Sequence, residues 1–109
     1  GVVKGRISKE RMAALLSENP AKLYGMYPEK GILQEGSDAD IVLLDPNKKK
    51  TIRKEDQVSH SDYAPLEGLE IQGCIEEVFL RGKLVAKGGK VLLENQGKYL
   101  KRKKFQPVV

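Results

Sequence analysis

Apolar positions change their spacing once along the chain, near residue 31. Before that point Met12, Leu15 and Leu16 fall at i, i+3 and i+4 beside Ala13 and Ala14, the spacing of one helix face, and Ser8 stands where an N-cap is needed. This predicts a short amphipathic helix over 9 to 18. Asn19-Pro20 predicts a second start, with Asn19 capping and Pro20 in the first turn, where its missing N–H costs nothing. Leu23 and Tyr24 would then face inward, Gly25 would end the helix, and Met26 to Lys30 would connect onward.

From Gly31 the apolar runs shorten, gain Val, Ile and Leu, and are punctuated by Gly, Pro, Asp and Asn. That pattern predicts strands near 40 to 44, 50 to 53, 75 to 80, 83 to 86 and 90 to 93. Ile41 to Leu44 are four aliphatics in succession, which predicts a strand buried on both faces. Arg81-Gly82 sits between apolar runs as a two-residue hairpin turn, and Gly88-Gly89 marks another turn. Residues 54 to 73 show no period and predict a long loop. The tail from 96 to 109 has too few apolar residues to order itself and predicts an extended segment that needs a surface to be fixed.

Composition narrows this picture. Aromatics are 6% of the chain and Trp is absent, so any core is aliphatic and small. The lone Cys74 excludes an internal disulfide and a cysteine-rich zinc module. It fits a reducing, cytoplasmic compartment, and the thiol reads as a small buried hydrophobe. No apolar run approaches the roughly 18 residues that span a bilayer. The formal charge of +5 is matched by Lys98, Lys101, Arg102, Lys103 and Lys104 alone, so this is a near-neutral domain with a basic tail. The opening Gly1-Val2-Val3-Lys4 lacks an initiator Met and reads as a fragment of a longer chain.

Candidate chemistry is thin. Asp38 and Asp40 form a D-x-D arrangement of hard oxygen ligands, but aliphatics follow where further ligands would stand. The structural reading is that Ser37 and Asp38 satisfy a turn while Asp40 and Asp45 bracket a strand. His60 is the only histidine, flanked by Ser59 and Ser61 with Asp62 nearby; one imidazole makes no zinc site, and it reads as an exposed loop residue. The glycines match neither phosphate-binding fingerprint. Tyr99 and Phe105 interleave with the basic tail, which admits phosphate neutralisation and stacking on nucleic acid, though without a reading module. The residues alone therefore give an α+β chain, helical first and β afterwards, with no catalytic, metal-binding or substrate-binding set.

The order of motifs carries a resemblance. Asn19-Pro20-Ala21-Lys22-Leu23-Tyr24-Gly25, Lys30-Gly31 and Gly36-Ser37-Asp38-Ala39-Asp40-Ile41-Val42 resemble the C-terminal region of the metal-dependent cyclic amidohydrolases. Ser61 to Gly68, Phe79 to Val85 and Gly97 to Arg102 narrow this to the hydantoinases and dihydropyrimidinases. The resemblance implies that residues 1 to 27 are the last helices of a (β/α)₈ barrel. Residues 31 to 95 would be C-terminal strands of a small composite β-sandwich, and 96 to 109 a tail that reaches a neighbouring subunit of a dimer or tetramer. The parent would open hydantoin or dihydropyrimidine rings to N-carbamoyl amino acids, using two zinc ions bridged by a carboxylated lysine. The residues that hold those metals and the substrate lie upstream in the family, so the segment itself would be silent and its partner would be the remainder of the parent chain. The alternatives are a scaffold that keeps the fold without the metals, or a basic nucleic-acid-binding module.

Overall fold

The computed structural model describes residues 1–108; Val109, the end of the tail, lies outside the described residues. Ser8 caps the first helix, its Oγ accepting the Arg11 N–H at 3.0 Å, and α1 runs Lys9–Ala13. There is no second start at Asn19. A π-helical segment, Ala14–Glu18, leads directly into α2, Asn19–Leu23, and Asn19 has helical φ and ψ of −64° and −47°. The reason is Pro20, whose missing N–H and bulky ring conflict with a regular ladder four residues back; widening the preceding turn accommodates it without breaking the rod. The wider turn also shifts the phase of everything after it. Leu23 and Tyr24, expected inward, are 50% and 62% exposed, and among the described residues Ala21 is the buried hydrophobic one.

Gly25, with φ +72°, ends the helix by donating to the Lys22 carbonyl at 3.3 Å while Met26 N–H reaches back to Ala21 O at 2.8 Å. That is a Schellman ending, and it satisfies carbonyls the helix leaves orphaned. Ala21 packs on Gly31 so closely that a Cβ added to Gly31 would lie 2.5 Å from its methyl.

The strands form one antiparallel sheet in the order β1-β2-β3-β4, with β1 Ile41–Thr51, β2 Glu70–Leu80, β3 Lys83–Lys87 and β4 Lys90–Val91. The two strands expected at 40 to 44 and 50 to 53 are one. Residues 46 to 48 of β1 face the single Gly73 of β2, and this bulge admits Pro46, which cannot donate to a ladder. Asp45 supports it by accepting the Asn47 N–H at 2.9 Å. Pairing with the far end of β1 extends β2 back to Glu70, so the expected loop ends at Leu69 and contains one 3₁₀ turn, Lys54–Asp56. Arg81 and Gly82, φ +46° and +82°, and Gly88 and Gly89, φ +58° and +79°, make the two tight turns as expected. The fourth strand is shorter than expected.

β1 does not bury both faces. Val42, Leu43 and Leu44 are 55%, 46% and 48% exposed, because β1 is an edge strand and the helical segments do not pack on the sheet. The radius of gyration, 15.8 Å, exceeds the roughly 13 Å of a closed domain of this length. Among the described residues, no helix is long and apolar enough to cross a membrane.

Candidate functional site

The carboxylates singled out in the sequence meet a cation that its local pattern does not reveal. After α2 the chain doubles back through residues 26 to 40, and Asp38 N–H donates to Glu29 O at 2.9 Å, which brings Lys30 against the D-x-D pair. Lys30 Nζ lies 2.8 Å from Asp38 Oδ2 and also bonds Asp40 Oδ2. The other oxygen of Asp40, Oδ1, accepts the Arg81 N–H at 2.9 Å, and Gly82 N–H donates to Ala39 O at 3.0 Å. The turn joining β2 to β3 is thus gripped by the residues that lead into β1. Ser37 Oγ donates to Pro28 O at 2.6 Å, fixing the start of the same turn.

Electrostatics follow from this arrangement. Partial burial pushes the Asp40 carboxyl up, but the Lys30 ammonium and the Arg81 N–H outweigh it, and the net direction is down. Desolvation lowers Lys30, and Asp38 and Asp40 together overcome it, so its pKa is raised. An ammonium between two carboxylates fills the place a hard cation would take. Among the described residues, no group of three or more His, Cys, Asp or Glu side chains converges as a metal site needs. The donors present therefore do not fit the zinc pair implied by the resemblance.

The remaining candidates stand apart from this node. His60 is exposed in the long loop, where Ser61 N–H donates to Ser59 Oγ at 3.1 Å. Cys74 is half-buried rather than buried, because on β2 it pairs with Asp45 of the edge strand β1. Glu76, the extra residue where β2 bulges opposite Leu43 and Leu44 of β1, pairs with Lys48 at 3.1 Å. The tail is extended as expected, but part of it is fixed within the chain: Lys103 N–H donates to Gly25 O at 2.7 Å and Gln106 N–H to Lys22 O at 2.8 Å. Tyr99 is 89% exposed. Nothing in the local sequence announces the contacts that Lys30, the Arg81 amide and Gln106 make; each acts because the backbone brings it to a distant partner.

Comparison with known proteins gives these contacts a context. The amidohydrolase family profile matches residues 2–85. A D-phenylhydantoinase of Escherichia coli is 40% identical over 110 residues, covering 100% of this chain and 24% of that protein. The crystal structure of dihydropyrimidinase from Brevibacillus agri superposes with a TM-score of 0.94 at 39% identity, over 99% of this chain and 24% of that one. An L-hydantoinase (dihydropyrimidinase) from Arthrobacter aurescens gives 0.82 at 42% identity, over 86% of this chain and 21% of that one. The chain spans about a quarter of the length of the relatives it matches. With most of its residues inside the family profile and its backbone superposing on hydantoinase and dihydropyrimidinase structures, the chain belongs to the amidohydrolase family.

Proposed function

We propose that this chain is the C-terminal region of a hydantoinase or dihydropyrimidinase, a cytoplasmic enzyme that hydrolyses the cyclic amide of hydantoins or dihydropyrimidines to N-carbamoyl amino acids. Its part is structural. Residues 1 to 27 close the end of the barrel, 31 to 95 supply strands of a composite β-sandwich, and the basic tail supports assembly of a dimer or tetramer. The metals and the groups that act on substrate belong to the rest of the parent.

The supporting observation is the uncovered apolar surface. A sheet whose Val42, Leu44, Ile75 and Val91 are 48% to 55% exposed, in a chain where Ala21 is the buried hydrophobic residue among those described, is half of a layered structure rather than a whole one. Superposition at a TM-score above 0.9 on chains four times as long supports the same reading.

The test is to assay the chain with dihydrouracil and hydantoin in the presence of zinc, and to sequence the gene upstream of the Gly1 codon. Ring opening is expected to be absent from the chain and encoded by an upstream segment carrying an H-x-H pair and a bridging lysine. N-carbamoyl product from the chain alone overturns the structural role. An upstream segment without those ligands overturns the activity in favour of a metal-free scaffold.

A further inference from the structure

The contacts between the tail and the helix end are more than incidental packing. Gly25 is seated against the tail backbone: a Cβ there would overlap the Lys103 carbonyl oxygen and lie 2.6 Å from Lys103 C and 2.9 Å from its N. Three hydrogen bonds join the two segments, from Lys103 N–H to Gly25 O at 2.7 Å, Gln106 N–H to Lys22 O at 2.8 Å, and Gln106 Nε2 to Tyr27 O at 3.1 Å. Gln106 is half-buried, while residues 101 to 105 on its N-terminal side are exposed. The tail is tethered at a second point as well, where the Arg81 guanidinium bonds Gln96 O. Residues 97 to 102 therefore bridge two fixed ends, carrying Lys98, Tyr99, Lys101 and Arg102.

We infer that residues 103 to 106 are a latch that closes in cis on the C-terminal end of the helix, and that Gly25 is its seat. A helix end presents carbonyls without intrahelical partners. Here one of them, Lys22 O, takes both the Gly25 N–H of the Schellman turn and the Gln106 N–H of the tail. The latch completes the helix terminus and sets the position of the basic strap, so its release frees the strap. Gly25 serves two ends at once: φ +72° favours glycine for the Schellman turn, and the missing side chain lets the tail backbone approach. Nothing in this inference depends on whether the parent hydrolyses cyclic amides.

The experiment is hydrogen–deuterium exchange, resolved to single amides, on the protein as its gene encodes it. In the unmodified protein the Lys103 and Gln106 amides exchange at least about tenfold slower than an unstructured peptide of the same sequence. Gln106→Ala, which keeps the backbone bonds but removes the bond to Tyr27 O, speeds the Lys103 amide severalfold. Gly25→Ala abolishes protection at both amides and leaves β2 and β3 protected. Should Gly25→Ala fail to fold, removal of residues 103 to 109 supplies the reciprocal reading, faster exchange of the Gly25 and Met26 amides. Peptide-like exchange at Lys103 and Gln106 in the unmodified protein, or no response to Gln106→Ala at Lys103, overturns the latch.

Discussion

Replacing Asp40 with Asn tests whether the Lys30 node holds the β2–β3 turn against the entry to β1. The substitution keeps an acceptor oxygen for the Arg81 N–H and removes the charge that faces Lys30. Coulomb attraction between unit charges about 4 Å apart is roughly 4 kcal/mol at an effective dielectric of 20. Desolvation and solvent screening cut this sharply, since the Lys30 and Asp40 side chains retain 22% and 32% of their exposure. A charge-assisted hydrogen bond in such a half-exposed setting leaves about 1 kcal/mol, between the surface-pair and buried-pair limits. Lys30→Met costs more, because it strips the cation from Asp38 and Asp40 together and leaves two carboxylates side by side. A double-mutant cycle with these two variants, read from exchange of the Arg81 and Gly82 amides, is expected to give a coupling of about 1 kcal/mol, roughly a fivefold change in rate. Coupling below about 0.3 kcal/mol would refute the claim that this ion pair holds the turn.

The pH dependence of the same node has a definite sign. Asp40 is held below its ordinary value, so its contribution is present above about pH 4 and disappears as acid protonates it through the lowered folded value. Lys30 is raised, so its contribution is complete below about pH 10 and is lost as base deprotonates it through the raised folded value. Exchange at Arg81 and Gly82, corrected for intrinsic rates, is therefore expected to be slowest between those limits, and Asp40→Asn is expected to flatten the acid side. Gly31→Ala places a methyl 2.5 Å from the Ala21 Cβ at a φ of +88°; overpacking and the left-handed backbone together predict a loss of about 2 to 4 kcal/mol in urea unfolding. Adding Ala21→Gly is expected to recover the steric part and leave the backbone part. Ser8→Ala removes the only side-chain cap of α1 and is expected to cost about 1 kcal/mol of helix stability, read as faster exchange of the Arg11 and Met12 amides.

Local signals in this chain were legible where one residue decides its own neighbourhood. Ser8 caps, Gly25 terminates, and the Arg81-Gly82 and Gly88-Gly89 pairs turn, because each outcome rests on a side-chain acceptor or a positive φ within a few residues. The structure departs from its local signals where a local cue meets a nonlocal constraint. Asn19-Pro20 carries the chemistry of a helix start, yet the helix passes through it on a π turn, and the resulting change of phase exchanged Ala21 for Leu23 and Tyr24 on the inner face. The polar run after Asp45 looks like a break between strands, but pairing with β2 carries β1 across it through a bulge. The D-x-D pair reads as a turn element in the sequence, but its cation is not legible there, since Lys30 sits ten residues before Asp40 and only the folded turn unites them. The exposed face of β1 departs from its sequence pattern for a different reason. Four consecutive aliphatics report the environment for which a strand is built, and this chain by itself does not provide that environment.

The bond between Gln106 and Tyr27 also orders events in time. Its partners are 79 residues apart in a chain of 109, so closing it means closing a long loop. Contacts of that separation pay their loop-closure entropy before they return any stabilisation, and they form late. A helix that starts at Lys9 thus waits for Gln106 before its end is finished. A molecule cut short by a handful of residues loses that contact at the opposite end of its sequence, which makes the helix terminus a local reporter of whether the tail was made.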